Sequence, residues 1–134
     1  MPGCVLRATG DNFRVEKLLE ASSLIPCNVF RKGERKSSSR VWETSGITIA
    51  VSDSDGSDLA SQISCAIEFL RDNRDELLRL RKFDGVEEME LDFGIYRQNS
   101  FLQSNLFPAE LVAIAGDLQI GIELSIYGEE VTNI

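Results

Sequence analysis

Between residues 107 and 127 the spacing of apolar positions changes from one period to another. Leu111, Ile114, Ala115 and Leu118 recur at i, i+3, i+4 and i+7, the stripe of a helix with one buried face. Pro108 suits the first turn of that helix, where a missing N–H costs nothing. After Gln119 the pattern alternates. Ile120, Ile122, Leu124 and Ile126 fall on one side, and Gly121, Glu123, Ser125 and Tyr127 on the other, the period of a half-buried strand. A helix running straight into a one-faced strand predicts helices layered on an open sheet.

The same reading from the start of the chain predicts a strand over residues 4–9, where Cys4, Leu6 and Ala8 alternate with Val5, Arg7 and Thr9. Gly10-Asp11-Asn12 forms a turn that also offers a helix N-cap. Residues 13–22 follow as helix, with Val15, Leu18, Leu19 and Ser22 on one stripe, and Pro26 stops any continuation. Residues 28–32 predict a short strand. Residues 40–52 predict a longer one whose apolar face is Ile47, Ile49 and Val51. A loose hairpin loop would join the two.

Residues 53–58 read as a loop with several possible N-caps, opening a helix that turns Leu59, Ile63, Ala66, Ile67 and Leu70 inward. The polar run 71–75 interrupts that stripe before Leu77, Leu78 and Leu80 resume it. Two helices with a break near Asn73 are predicted, with a single bent helix as the alternative. Asp84-Gly85 ends this stretch. Residues 86–96 form a strand with Met89, Leu91, Phe93 and Ile95 on one face and Glu88, Glu90, Asp92 and Tyr96 on the other. Residues 97–106 are a polar loop, and residues 128–134 a tail without periodicity.

The order is β-α-β-β-α-β-α-β, with the second helical segment broken. Its first six elements follow the split βαβ, ferredoxin-like pattern, with a helix and strand appended. Alternating apolar and charged positions predict a sheet covered on one face and wet on the other. The expectation is a single α+β domain over residues 1–134: a two-layer sandwich with its helices on one face of an antiparallel or mixed sheet.

Composition narrows the chemistry. A chain of 134 residues fits one domain and needs no cross-link. A net charge of −8 argues against nucleic-acid and anionic-membrane binding and fits solubility or a basic protein partner. Cys4, Cys27 and Cys65 are an odd number without close pairing, read as buried free thiols. The start of the chain carries no signal-peptide pattern and no apolar run is long enough to span a bilayer, so a cytoplasmic location is expected.

The chain has no histidine, which excludes Ser-His-Asp and Cys-His nucleophile systems and His-based metal sites. Neither a P-loop nor a dinucleotide fingerprint is present. Asp53, Asp55 and Asp58 suggest a calcium loop, but that frame needs Gly at its sixth position and Glu at its twelfth. Counted from Asp53, Gly56 falls at the fourth and Ser64 at the twelfth. No catalytic residue, cofactor or metal is nominated.

Two candidate binding surfaces remain. Residues 31–40 carry Arg31, Lys32, Arg35, Lys36 and Arg40 against Glu34 alone, followed by Trp42. Such a loop could hold an anion, a nucleotide phosphate or an acidic partner. It also reads as a solvated hairpin loop, with Trp42 anchoring a core edge. The outward sheet face offers Arg7, Glu88, Glu90, Asp92 and Glu123, with Tyr96 and Tyr127 as possible protein-binding anchors. Arg7 is expected among carboxylates, paired with Glu90.

The sequence of a strand, the Gly10-Asp11-Asn12-Phe13 turn, a helix, Val29-Phe30-Arg31-Lys32-Gly33-Glu34 and then Trp42 resembles the uncharacterised bacterial family called domain of unknown function 4279. The closing helix and Ile122-Glu123-Leu124-Ser125-Ile126-Tyr127 are similar to it too. The resemblance covers most of the chain, and residues 99–106 have no counterpart. That family has no assigned activity, so the resemblance implies a fold and a bacterial source and no catalytic residue. The leading functional expectation is a non-enzymatic protein-binding domain, by analogy with immunity proteins that neutralise a basic partner. The alternative is a small-ligand or anion-binding module using residues 31–40 and Trp42.

Overall fold

The alternation in β1 (Cys4–Gly10) becomes the middle of a sheet in the computed structural model, which describes residues 3–128. Its inward residues Cys4, Leu6 and Ala8 are fully buried. On one side β1 pairs antiparallel with β3 (Ser45–Ser52), which pairs in turn with the short β2 (Asn28–Phe30). On the other side it pairs antiparallel with β4 (Glu88–Tyr96). The outer neighbour of β4 is β5 (Gly121–Tyr127), and that pair is parallel. The sheet is therefore mixed, in the order β2-β3-β1-β4-β5. Parallel neighbours need a crossover, and α4 (Ala109–Asp117) supplies it.

The remaining helices are α1 (Val15–Ala21), α2 (Leu59–Asp72) and α3 (Arg74–Lys82). Ile63, Ala66 and Leu70 of α2, Leu77 and Leu80 of α3, and Leu111 and Ala115 of α4 share one core with Leu6, Ile47, Leu91 and Phe93 of the sheet. The break at Asn73 is real. The Asn73 side chain donates to the Phe69 carbonyl at 3.0 Å, while its own carbonyl accepts from Leu77 N. Asp58 caps α2 by accepting from Ser61 N. Ion pairs from Arg71 to Glu110 and from Arg74 to Asp117 tie α2 and α3 to α4. Gln62 is buried within the apolar stripe of α2. Its Nε2 donates to the carbonyls of Gly94, Ser54 and Asp55, fastening the 53–58 loop to β4.

Several expectations are corrected. α1 is shorter than residues 13–22, no side chain caps its start, and Leu19 is exposed because only Val15 and Leu18 reach the core. β2 ends at Phe30 and β3 begins at Ser45, so Trp42 lies outside the strand. Pro108 takes the N-cap position of α4 with extended backbone and stands just outside the first turn. Ile126 is 46% exposed, because β5 is an outer strand, while its opposed residue Ile95 on β4 is buried. Cys4 is buried and Cys65 half-buried, but Cys27 is exposed. The tail expected over residues 128–134 lies, from residue 129 on, outside the described residues.

Candidate functional site

Opposed residues in a sheet share a face, so the register assembles the outer face row by row. Phe30, Gly46, Thr9 and Glu88 form one row. Asn28, Thr48, Arg7 and Glu90 form the next, and Val5, Asp92 and Glu123 the third. Tyr96 and Tyr127 are opposed at the far end.

Arg7 stands among the carboxylates as expected, but its primary partner is Asp92 and not Glu90. It donates through Nη2 to Asp92 Oδ2, with Glu123 at 3.5 Å and Glu90, its opposed residue, at 3.9 Å. The diagonal pair wins because Asp92 is only 8% exposed, whereas Glu90 and Glu123 have water to solvate them. Ser125 Oγ donates to the second oxygen of Asp92 at 2.6 Å, so both carboxylate oxygens are satisfied. This corrects the wet position expected for Asp92.

The charges perturb one another. Burial pushes the Arg7 guanidinium down, but the bond to Asp92 and the fields of Asp92, Glu123 and Glu90 outweigh it and raise it overall. The Glu90 carboxyl is raised, first by burial and then by Glu123, with Arg7 acting against both. Cys4, beneath this row on the inner face, is pushed up to about 12 by burial, by Asp92 and by Cys65. An acid whose folded-state pKa is raised favours the folded state more as pH falls through that value, and opposes it above. Glu90→Gln should therefore leave stability unchanged or slightly higher at neutral pH and flatten this part of the pH profile. Denaturant melts between mildly acidic and neutral pH measure it. A clear loss at neutral pH would show that the Arg7 attraction dominates.

At the other end of the face the basic segment is an ordered hairpin, not a loose loop. Gly33 N donates to Trp42 O and Trp42 N to Glu34 O, both at 2.9 Å. Arg35 bridges Val41, and Lys36 N donates to Arg40 O. Its base is anchored on the sheet. The Trp42 ring stacks on Phe30, with centroids 4.1 Å apart and planes 18° apart. Lys36 Nζ lies 4.7 Å from the Trp42 centroid, and with Phe30 filling one face it covers the other. Gly46 makes the arrangement possible. A Cβ there would come within 2.6 Å of both the Phe30 ring and the Ala8 carbonyl, so the ring occupies the notch a side chain would fill.

The five basic residues divide. Arg31 pairs with Glu16 on α1 and with Glu34, and Lys32 reaches Asp11 at 3.9 Å, so these two fasten the hairpin to the body. Arg35, Lys36 and Arg40 have no carboxylate in ion-pair range among the described residues. Between the hairpin and the sheet lies an open groove of about 970 Å³. Arg7, Lys36, Arg40 and Trp42 line it, with Thr9, Asn28, Thr44 and Thr48, and Glu43 contributes the one carboxylate among its lining residues. Glu90, Glu123, Tyr96 and Tyr127 are not in it. Tyr127 lines a smaller hollow with Arg7 and Asp92 instead.

The groove thus joins Arg7 to Lys36, Arg40 and Trp42, which the sequence presented as two separate surfaces. Thr9, Thr48 and Asn28 were missed, although strand parity alone puts Thr9 and Thr48 outward with Arg7. Phe30 and Gly46 were missed because nothing local marks a glycine as a notch for a ring across the sheet. Lys36 and Arg40, which carry no carboxylate partner among the described residues, one shielded guanidinium and a row of hydroxyl and amide groups outnumber Glu43 and can bind an anion; they supply no nucleophile–base pair. Among the described residues, no group of three or more His, Cys, Asp or Glu side chains is placed to hold a metal ion, and no helix is long and apolar enough to cross a membrane.

Compared with protein-family models, curated proteins and solved structures, the chain finds no match.

Proposed function

We propose that this is a non-enzymatic binding domain whose groove takes a small anionic ligand bearing a phosphate or carboxylate. The observation that carries this reading is the placement of Lys36 and Arg40, without carboxylate partners among the described residues, on the wall of a groove floored by Arg7. The volume is that of a small-molecule site. Trp42 holds the wall in place and reports on it; with both faces covered, it is not a free stacking platform.

Titration with inorganic pyrophosphate and with a tricarboxylate, read by Trp42 fluorescence and calorimetry, tests this. Saturable binding should weaken with salt and fall about tenfold or more in Lys36→Glu and in Arg40→Glu, the scale of one charge-assisted hydrogen bond. No response to either anion, or a response indifferent to both substitutions, would sink the reading.

A second reading has its own observation. Glu90, Asp92 and Glu123 surround Arg7, Glu88 follows one row further along β4, and the Glu90 carboxyl is raised first by burial and then by Glu123. That half of the face suits a basic protein partner, in the manner of an immunity protein. The fold-level proposal is a ferredoxin-like split βαβ unit extended by α4 and β5. The order β2-β3-β1-β4 with antiparallel neighbours supports it. Membership of the family called domain of unknown function 4279 stays a proposal resting on the residues quoted above.

A further inference from the structure

The two edges of the sheet are not equivalent. β2 is three residues long and is flanked by the basic hairpin and Pro26, the usual protection of an edge. β5 is seven residues long, with no proline, no lysine and no bulge. Arg97 N donates to Tyr127 O, and in a parallel ladder this fixes which residues turn toward β4. Gly121, Glu123, Ser125 and Tyr127 direct their backbone N–H and C=O groups at β4. Ile122, Leu124 and Ile126 direct theirs outward, where no described strand pairs with them.

We propose that this edge pairs with the β5 edge of a second copy of the chain, antiparallel about a two-fold axis at Leu124. Any register centred on a residue keeps each side chain on its own face, and the three nearest the middle of β5 pair the most of it. Centring on Glu123 sets that carboxylate against its own copy, a destabilising like-charge pair. Centring on Ser125 leaves Ile122 unpaired. Centring on Leu124 uses all seven residues: Ile122 meets Ile126, Leu124 meets Leu124, and Glu123 meets Ser125. The outward groups of Ile122, Leu124 and Ile126 then match one another, and no like charges are directly opposed.

Helix α4 adds an independent observation. Glu110 and Asp117 mark its side toward α2 and α3, because they pair with Arg71 and Arg74. At 100° per residue Val112 lies about 200° round from Glu110, on the side away from those helices. Val112 is 50% exposed. In the two-fold arrangement Val112 and Ile126 gain apolar cover from the copy, continuing the helical layer and the sheet together.

Sedimentation equilibrium on the full chain over a wide concentration range tests this. A monomer–dimer equilibrium is expected, tightening with added salt because each copy carries a net charge of −8. Ile126→Lys and Val112→Lys should each weaken it about tenfold or more. Amide exchange at Ile122, Leu124 and Ile126 should be slowed in the dimer and fast in either variant. Both substitutions are at half-exposed positions; if Ile126→Lys does not fold, Val112→Lys decides. A chain that stays monomeric throughout, a dimer indifferent to both substitutions, or an edge occupied only by a strand of a different protein would overturn the proposal.

Discussion

Arg7→Ala lowers the unfolding free energy by about 2–3 kcal/mol at neutral pH, a fall in Tm of roughly 10 °C. An exposed cross-strand ion pair contributes only about 0.2–1 kcal/mol. The burial of Asp92 changes the scale. Removing Arg7 leaves that carboxylate, among the described residues, with only Ser125 as a hydrogen-bond donor, facing Glu90 and Glu123 without a cation. Breaking a buried pair costs about 3–5 kcal/mol, and the partial exposure of Arg7 reduces it. The pH dependence follows from the Glu90 carboxyl, already raised with Arg7 in place. Without the guanidinium, which holds it down, the Glu90 carboxyl rises further, and stability lost at neutral pH returns as pH falls through the raised value. Chemical denaturation at neutral and mildly acidic pH measures both effects. Asp92→Asn in the Arg7→Ala background should restore part of the loss, since the amide carries no charge to desolvate. A loss below about 1 kcal/mol, flat with pH, would mean that water reaches Asp92 and that the pair behaves as an exposed one.

Legibility along the chain followed the range of the interactions involved. β1 and β4 were readable because alternation in a half-buried strand is local. Cys4, Leu6, Ala8, Met89, Leu91, Phe93 and Ile95 are all buried as their parity required. The break at Asn73 was readable for the same reason: a polar run interrupts an apolar stripe. Parity also set Arg7, Glu90 and Glu123 on one face. It could not say which carboxylate Arg7 would choose, because that depends on solvent access across three strands. Position within the sheet was equally hidden. Ile126 belongs to the same alternation as Ile120, yet Ile120 joins the core and Ile126, near the end of an outer strand, is exposed. The groove was the least legible feature. Lys36, Arg40 and Trp42 stood out by type, but their approach to Arg7 depends on the hairpin folding back over the outer face, and no local pattern encodes that.

The fold-back rests on one glycine, and Gly46→Ala should therefore act on both stability and the groove. The added methyl would sit within 2.6 Å of the Phe30 ring and of the Ala8 carbonyl. The ring can swing away; the carbonyl belongs to the central strand and cannot move without disturbing the β1–β3 ladder. Overpacking of this kind costs about 1–3 kcal/mol, and a backbone contact puts Gly46→Ala at the upper end. Displacing Phe30 removes the surface on which Trp42 stacks, and with it the anchor that positions Lys36 and Arg40 over Arg7. Trp42 is the only tryptophan of the chain, so its emission reports this hairpin alone. The expected result is a lower melting temperature, a red-shifted emission while the protein is still folded, and at least a tenfold loss in anion affinity. Phe30→Leu on its own should separate the two effects. It leaves the β1–β3 ladder intact, so stability falls less than in Gly46→Ala, but it removes the stacked ring and shifts the emission in the same direction. Wild-type emission and anion binding in a destabilised but folded Gly46→Ala protein would show that the hairpin is held by Arg31, Lys32 and its own backbone bonds, and that the Phe30–Trp42 stack only rests against it.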